Sequence, residues 1–515
     1  MPGGTKDFRS TMPNTISILT LFATVLILLF APHVFPFTTD SLIYISAAQN
    51  ISKGAGLLST NVFVQPALPD YIPLKLYPPG YSFLIVLLNA TGLDVHTAAL
   101  VIPRFFYLLL PLAFSLVFGH IMPKKPAMIT AGICTFMFPY VKCALMAWSD
   151  IPFLFFSLIS FWLVFKAIKS GDRDQLIYCF WSGIFTGCSL LLRNVGYALI
   201  FSIGSGLILM ALLRIVSIKR FIQAGFSYAF GALIFFAPYL IRNYIVFGTL
   251  NPFRLPPAHI TLTENLADYG HTLSYMIFAY PFYERVVFML AGGMASWFIV
   301  KMKHSISVDQ KTVVCAGILI LYFLSGSFLV LLSKSMFFMP EKINERYLIQ
   351  YVWVIVAGLS YSVYLLLLKL KSYRPVDVKG ITILILLALI LVQIFPAADF
   401  YFQQQRILRL AEKVRASVPV LDQIPPDHVI VSNVMDMTHF FSGRNVRMLN
   451  GYTPYGLKML LGAERKFAVL IVKEQNNDFR SYLYPPSWLN PEGYRAVYSD
   501  QNVALWLPQQ DNEGF

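Results

Sequence analysis

Residues 176–213 read LIYCFWSGIFTGCSLLLRNVGYALIFSIGSGLILMALL, an apolar stretch in which Arg193 is the single charged residue. A helix crosses a bilayer core in about 20 residues, so this stretch is long enough for two spans. Arg193 and Asn194 interrupt it near the middle, and we predict two spans, 176–192 and 194–213. Reading the stretch as one bent span would invert the orientation of everything that follows.

The composition of the whole chain agrees with a membrane protein. Of its 515 residues 57% are hydrophobic and 13% are charged, and its mean hydropathy is +0.63. Soluble domains carry about 45–50% apolar and about 25% charged residues. These values exclude a soluble enzyme and a disordered chain. The net charge of +14 comes from basic clusters between apolar runs, which indicates membrane topology and no nucleic-acid partner.

Apolar runs of spanning length predict an α-helical polytopic membrane protein with about 11 transmembrane helices. The runs are 14–35, 97–119, 127–146, 151–168, 176–192, 194–213, 221–241, 285–300, 312–333, 347–368 and 380–397. Placing the N-terminus in the cytoplasm makes every inner loop short and basic, as the positive-inside rule requires. The first run lacks a small-residue cleavage site after it, which favours an uncleaved anchor over a signal peptide.

The long polar segments fall on the outer side, in loops 36–96, 242–284 and 334–346. Residues 1–397 are predicted to form the transmembrane domain, and residues 398–515 a small extracytoplasmic α/β domain. Strand-like runs at 428–432, 467–472, 494–498 and 503–507 alternate there with helical stretches. The short inner loops favour a bacterial inner membrane.

Two acids near the outer ends of predicted spans are candidates for chemistry. Asp40 follows the first span and could act as a general base on an acceptor hydroxyl or amine. Asp150 lies in the short turn before Pro152 and could bond the acceptor or ligate a cation. For each, the alternative is a helix N-cap.

Basic residues form a second set on the predicted outer side. Arginine binds phosphate with two parallel bonds and stays charged when partly buried. The alternative is that each side chain reaches to the headgroups or pairs with a local acid. The set is Lys75, Arg104, Arg193, Arg242 and Arg346.

Cysteine and histidine give no clear metal site. The five cysteines all fall in or beside apolar runs and show no zinc-ligand spacing. His259 and His271 share a loop, but no carboxylate stands at ligand spacing from either.

Several short motifs, taken in order, resemble the GT-C superfamily of integral membrane glycosyltransferases. The resemblance is nearest to bacterial protein O-mannosyltransferases and lipid A aminoarabinose transferases. The motifs are Asp40 with Tyr44, Ala47 and Gly54; Tyr77-Pro78-Pro79-Gly80-Tyr81; Arg104; Trp148-Ser149-Asp150; Leu192-Arg193-Asn194; Pro238-Tyr239-Leu240-Ile241-Arg242-Asn243-Tyr244 with Phe247-Gly248; and Glu345-Arg346-Tyr347.

The resemblance implies transfer of a sugar from a polyprenyl-phosphate donor to a glycolipid, polysaccharide or protein. It assigns Asp40 as catalytic base, Asp150 as supporting acid, and Arg346 with Arg193 or Arg242 as phosphate ligands. Predicted substrate contacts are Lys75, Tyr77, Tyr244, Glu345 and Tyr347. Many relatives carry a second acid where Ser41 stands, and many aminoarabinose-type relatives read Lys-Pro-Pro where Leu76-Tyr77 separates Lys75 from Pro78. Subfamily and any divalent-cation requirement therefore stay open.

Two other functions fit the same pattern of spans and charges. A glycan polymerase or ligase would share donor and sidedness. A transporter or flippase for a lipid-linked glycan would also need many spans, but its site would lie near the bilayer midplane.

Overall fold

Most of the predicted apolar runs contain helices in the computed structural model. The structure describes residues 11–29, 34–60, 71–252, 260–278, 309–336, 342–373, 393–422, 424–425, 428–444, 446–448, 467–472, 494–499 and 503–508. The chain divides into two units. Residues 1–31, 75–81 and 100–399 form the first, and residues 32–74, 82–99 and 400–515 form the second. The domain boundary at 397/398 stays a prediction.

The described helices and strands, in chain order, are α1 (Thr11–Leu29), α2 (Thr39–Ser52), β1 (Leu58–Thr60), β2 (Tyr71–Pro73), α3 (Gly80–Asn89), α4 (Val95–Phe118), α5 (Lys124–Phe136), α6 (Phe138–Leu145), α7 (Asp150–Lys169), α8 (Asp172–Leu192), α9 (Tyr197–Leu212), α10 (Ile218–Phe247), α11 (Leu262–Phe278), α12 (Gln310–Met336), α13 (Glu345–Leu348), α14 (Val352–Tyr373), α15 (Ile394–Ala416), α16 (Val418–Leu421), β3 (Val429–Ser432), α17 (Met435–Ser442), β4 (Val446–Met448), β5 (Phe467–Val472), β6 (Tyr494–Ser499) and β7 (Val503–Pro508).

Helices of membrane-crossing length and apolarity are numerous in the described ranges. There are six, or seven when α5 and α6, bent by 53°, count as one broken span. They correspond to seven of the predicted runs. The runs at 14–35 and 347–368 contain shorter apolar helices, Thr20–Leu29 and Val352–Leu365. The run at 285–300 and most of that at 380–397 lie outside the described residues, so the total of about 11 stays a prediction. The protein is an integral membrane protein.

The stretch around Arg193 forms two helices. Helix α8 ends at Leu192, and Arg193 adopts extended backbone angles (φ −152°, ψ 140°). A single 3-10 turn, Asn194–Gly196, then leads into α9. The break therefore falls at the charged residue, as predicted.

Small residues let α8 and α10 pack closely. A Cβ built on Gly183 would stand 2.0 Å from the Tyr228 carbonyl oxygen, and one on Gly187 would stand 2.5 Å from that of Ala232. On α10, a Cβ at Gly231 would stand 2.2 Å from the Phe180 oxygen. Glycines four residues apart are a common means of bringing membrane helices together.

Hydroxyl groups add hydrogen bonds between α7, α8 and α10. Ser160 Oγ lies 2.9 Å from Ser182 Oγ and 2.8 Å from Thr186 Oγ1. The Tyr228 hydroxyl donates to Thr186 Oγ1 at 3.1 Å. All four side chains are buried, so these bonds satisfy polar groups that neither lipid nor water reaches.

Within the described residues of the second unit, five strands form a sheet with the order β4-β3-β5-β7-β6. Strand β3 pairs in parallel with β4 and β5, while β7 is antiparallel to both β5 and β6. The four predicted strands are confirmed, and β4 was not predicted. The extracytoplasmic placement of this region stays a prediction.

Aromatic rings join distant segments of the second unit. We define the aromatic cluster as Phe35, Phe37, His96, Phe440 and Phe441. The Phe37 ring stacks on Phe440 with centroids 4.7 Å apart, and His96 meets Phe440 edge-on at 5.3 Å. Next to these rings, the Phe35 amide donates to Gln404 Oε1 at 3.1 Å. The segment after α1 thus packs against α15 and α17.

We expect Gly183→Ala to lower the free energy of unfolding by about 1–3 kcal/mol, because the added methyl overlaps the α10 backbone. The midpoint of thermal unfolding in one detergent measures this. Gly225→Ala on α10 is the matched control, since its Cβ meets no atom within 4 Å. Equal midpoints for the two variants would contradict the packing argument.

Candidate functional site

Asp150 lies at the first position of α7 with its side chain fully buried. Its Oδ1 accepts from Arg193 Nη1 at 2.5 Å and from Gln350 Nε2 at 3.3 Å. Its Oδ2 accepts from Arg346 Nη2 at 3.3 Å. A carboxylate taken out of water is strongly destabilising unless charged and hydrogen-bonding partners surround it, and here both oxygens are bonded.

Three separate segments bring these groups together. Arg193 stands in the break between α8 and α9. Arg346 belongs to the short helix α13, where Asn344 Oδ1 caps the helix by accepting from the Arg346 amide at 3.1 Å. The Arg346 guanidinium also lies over the Trp148 ring, 3.8 Å from its centroid. Asp150 therefore links the α6–α7 turn, the α8–α9 break and α13.

Three more charged side chains lie near the Asp150 carboxylate and its two arginines, and the charges of the whole group add up to a positive value. Lys142 on α6 forms an ion pair with Glu345. Lys334 on α12, itself buried, has its Nζ 4.3 Å from the centroid of the Tyr347 ring. We define the cationic cluster as Lys142, Asp150, Arg193, Lys334, Glu345 and Arg346. Four cations and two carboxylates leave a formal charge of +2, which suits an anionic ligand.

Glu345 is ionised within this cluster. Burial alone would raise the pKa of its carboxyl, but the charge and hydrogen bond of Lys142 outweigh burial and lower the pKa. The second carboxylate of the cluster is therefore negatively charged at neutral pH.

The N-cap interpretation is wrong for both predicted acids. Ser149 is the N-cap of α7, and the Asp150 carboxylate bonds side chains of other segments. Thr38 is the N-cap of α2, and its amide donates to Ser41 Oγ at 3.1 Å. Asp40 is the second residue of α2, in the second unit, and its side chain is partly exposed. Its role as base stays a prediction.

The remaining predicted residues are spread over several elements. Arg242 on α10 donates to Asn243 Oδ1 at 3.0 Å and lies over the Phe247 ring, and Tyr244 on the same helix is exposed. Lys75 and Tyr77 lie between β2 and α3, half-buried. Arg104, on α4, is also half-buried. Their assignment to substrate or phosphate stays a prediction.

The predicted set missed three members of the site: Lys142, Lys334 and Gln350. Lys142 lies inside the apolar run 127–146, and an ionisable residue within a span is a signal of function that the sequence does carry. The sequence gives weaker signals for the other two residues. Lys334 adjoins the end of a run, and Gln350 has no charge.

No three histidine, cysteine, aspartate or glutamate side chains gather as a metal site in the described ranges. His271 is exposed on α11, and His259 lies outside those ranges.

Similarity to known proteins is found at the level of three-dimensional structure. No family model matches this chain, and no curated protein matches its sequence. A crystal structure of ArnT from Cupriavidus metallidurans bound to undecaprenyl phosphate matches with a TM-score of 0.56 and 12% identity, over 96% of this chain and 97% of that one. Its apo state matches with a TM-score of 0.55. The fold is that of the GT-C membrane glycosyltransferases.

A second GT-C structure agrees. The archaeal oligosaccharyltransferase AglB from Archaeoglobus fulgidus, in complex with an inhibitory peptide and a dolichol-phosphate, matches with a TM-score of 0.58 and 11% identity. The match covers 91% of this chain and 70% of AglB. With sequence identities of 11–12%, these matches establish a shared fold, the GT-C fold that the sequence motifs resemble.

We expect Asp150→Asn to lower the free energy of unfolding by about 3 kcal/mol, because it leaves two guanidinium groups without their shared carboxylate. Thermal unfolding in detergent measures the loss. Asp174→Asn is the control, since Asp174 lies in the first turn of the neighbouring helix α8 but is exposed. An Asp150→Asn protein as stable as this control would show that the two arginine contacts contribute nothing.

Proposed function

We propose that this chain is a glycosyltransferase that moves a sugar from a polyprenyl-phosphate donor to an extracytoplasmic acceptor. The acceptor would be a glycolipid, a polysaccharide or a protein. The observation that carries the proposal is the pair of guanidinium groups, Arg193 and Arg346, held on one buried carboxylate within the GT-C fold.

The charge of the cationic cluster supports a phosphate ligand. Both guanidinium groups are mostly buried, with side chains 17% and 19% exposed, so their charges are poorly screened by water. The ArnT structure with undecaprenyl phosphate and the AglB structure with dolichol-phosphate show that this fold accommodates lipid phosphates in those proteins. We propose that Arg346 and Arg193 bind the donor phosphate here, with Arg242 assisting.

The proposed reaction is a single displacement. The acceptor nucleophile attacks the anomeric carbon, and the bond from that carbon to the phosphate oxygen breaks. Asp40 accepts the proton of the nucleophile, and the released electron pair stays on the phosphate, where arginine stabilises it. One displacement inverts the anomeric centre.

The contacts of Asp150 favour a positioning role over the predicted catalytic one. Its carboxylate is fully buried, and each oxygen already accepts from a guanidinium group. We propose that Asp150 sets the separation and orientation of the two arginines. The predicted substrate contacts of Lys75, Tyr77, Tyr244 and Tyr347 remain part of the proposal.

We expect Asp40→Asn to reduce turnover by about 10²-fold or more, because the amide accepts no proton from the nucleophile. The assay measures release of polyprenyl phosphate by purified protein in lipid nanodiscs, with a panel of polyprenyl-phosphate sugars and a membrane extract as acceptor. Asp174→Asn serves as control. Equal release by wild type and Asp40→Asn would overturn the assignment of the base. Absence of release by wild type, together with flipping of a lipid-linked glycan, would favour the transport alternative.

We expect Arg346→Gln to weaken binding of polyprenyl phosphate by about 10-fold or more, because it removes a charged hydrogen-bond donor. Arg346→Lys keeps the charge but not the planar fork, so it should recover only part of the affinity. Fluorescence titration of nanodiscs measures both. Arg409→Gln is the control, because Arg409 is exposed on α15. Unchanged affinity in Arg346→Gln would remove Arg346 from the phosphate site.

A further inference from the structure

Helix α13, which carries Arg346, is only four residues long. A helix of this length is not stable by itself, so tertiary contacts must hold it in place. Thr272 Oγ1 on α11 donates to the Ile343 carbonyl oxygen at 2.6 Å, just before α13 begins. Further contacts come from α6, from the Trp148–Asp150 turn and from Lys334 on α12.

Helix α6 bonds this segment at two points. The Tyr140 hydroxyl donates to the Ile349 carbonyl oxygen at 3.0 Å, and the Lys142 ammonium pairs with the Glu345 carboxylate. Positions 345 and 349 are one helical turn apart, so the two bonds fix both the position and the rotation of α13. Two residues after α6 comes the Trp148–Asp150 turn, which also contacts Arg346.

We propose that Lys142 is a positioning residue for the donor phosphate site: its ion pair with Glu345 holds α13 so that Arg346 faces the phosphate. This inference rests on the proposed function. It also gives Glu345 a role different from the predicted contact with substrate. The two side chains are 21% and 19% exposed, which leaves them desolvated enough to be coupled.

The direction in which each substitution changes the affinity for phosphate separates a positioning role from a direct electrostatic effect. The pair is neutral overall. If its charges acted directly on the phosphate, Lys142→Met would weaken anion binding and Glu345→Gln would strengthen it. If the pair acts through the geometry of α13, both substitutions weaken binding.

The experiment is a titration of nanodisc-embedded protein with undecaprenyl phosphate, followed by donor turnover. We expect Lys142→Met and Glu345→Gln each to weaken binding by about 10-fold. The double variant Lys142→Met/Glu345→Gln should bind undecaprenyl phosphate at least as tightly as whichever single variant has the lower affinity. The exchanged pair Lys142→Glu/Glu345→Lys should recover affinity to within about threefold of wild type and restore turnover. Lys125→Met, an exposed lysine of α5, is the control.

Other outcomes each have a definite meaning. Unchanged binding in both single variants would overturn the positioning role, as would opposite signs or an exchanged pair that binds like the single variants. A turnover loss confined to Glu345→Gln would restore the predicted substrate contact of Glu345. If wild type itself does not bind undecaprenyl phosphate, the proposed function fails, and the inference fails with it.

Discussion

The structure around the site depends on the burial of one carboxylate. Asp150 is inside the first unit, where an unpaired negative charge would be very unfavourable. Its partners come from positions 193, 346 and 350. The chain must therefore break between α8 and α9 and must place α13 beside the α6–α7 turn. Burial of this single charge constrains three segments at once.

Close backbone contact holds two of the helices near that charge together. Gly183, Gly187 and Gly231 let the backbones of α8 and α10 touch, and buried hydroxyls of α7 and α8 bond each other nearby. Lipid is as apolar as leucine, so burial of apolar surface does not drive these contacts. The end of α8 is thereby fixed, and Arg193 follows it at once. A rigid helix pair is a suitable support for a charged group that must be held in one orientation.

The sequence predicted features that depend on local pattern. The break at Arg193 follows from one charge in a long apolar stretch, and four strands follow from alternation. The GT-C likeness came from the order of short motifs. Features that depend on distant contacts were not predictable: Asp150 and Arg346 are 196 positions apart. Strand β4 spans three residues, too few for an alternating pattern. The N-cap alternative failed because Thr38 and Ser149, two positions and one position before the acids, are N-cap residues of the same preferred class. Lys142 was read as the interior of a span because its partner lies 203 positions away.

The bond between the Phe35 amide and Gln404 has a consequence for how the protein is made. The two residues are 369 positions apart. At about 5–20 residues per second, the ribosome adds Gln404 roughly 20–70 seconds after Phe35. Phe440 and Phe441 are added later still, and until they are, Phe35 and Phe37 lack these two partner rings. A chain that ends before α17 therefore lacks the rings that pack on Phe35 and Phe37, so this contact forms only after most of the chain has been synthesised.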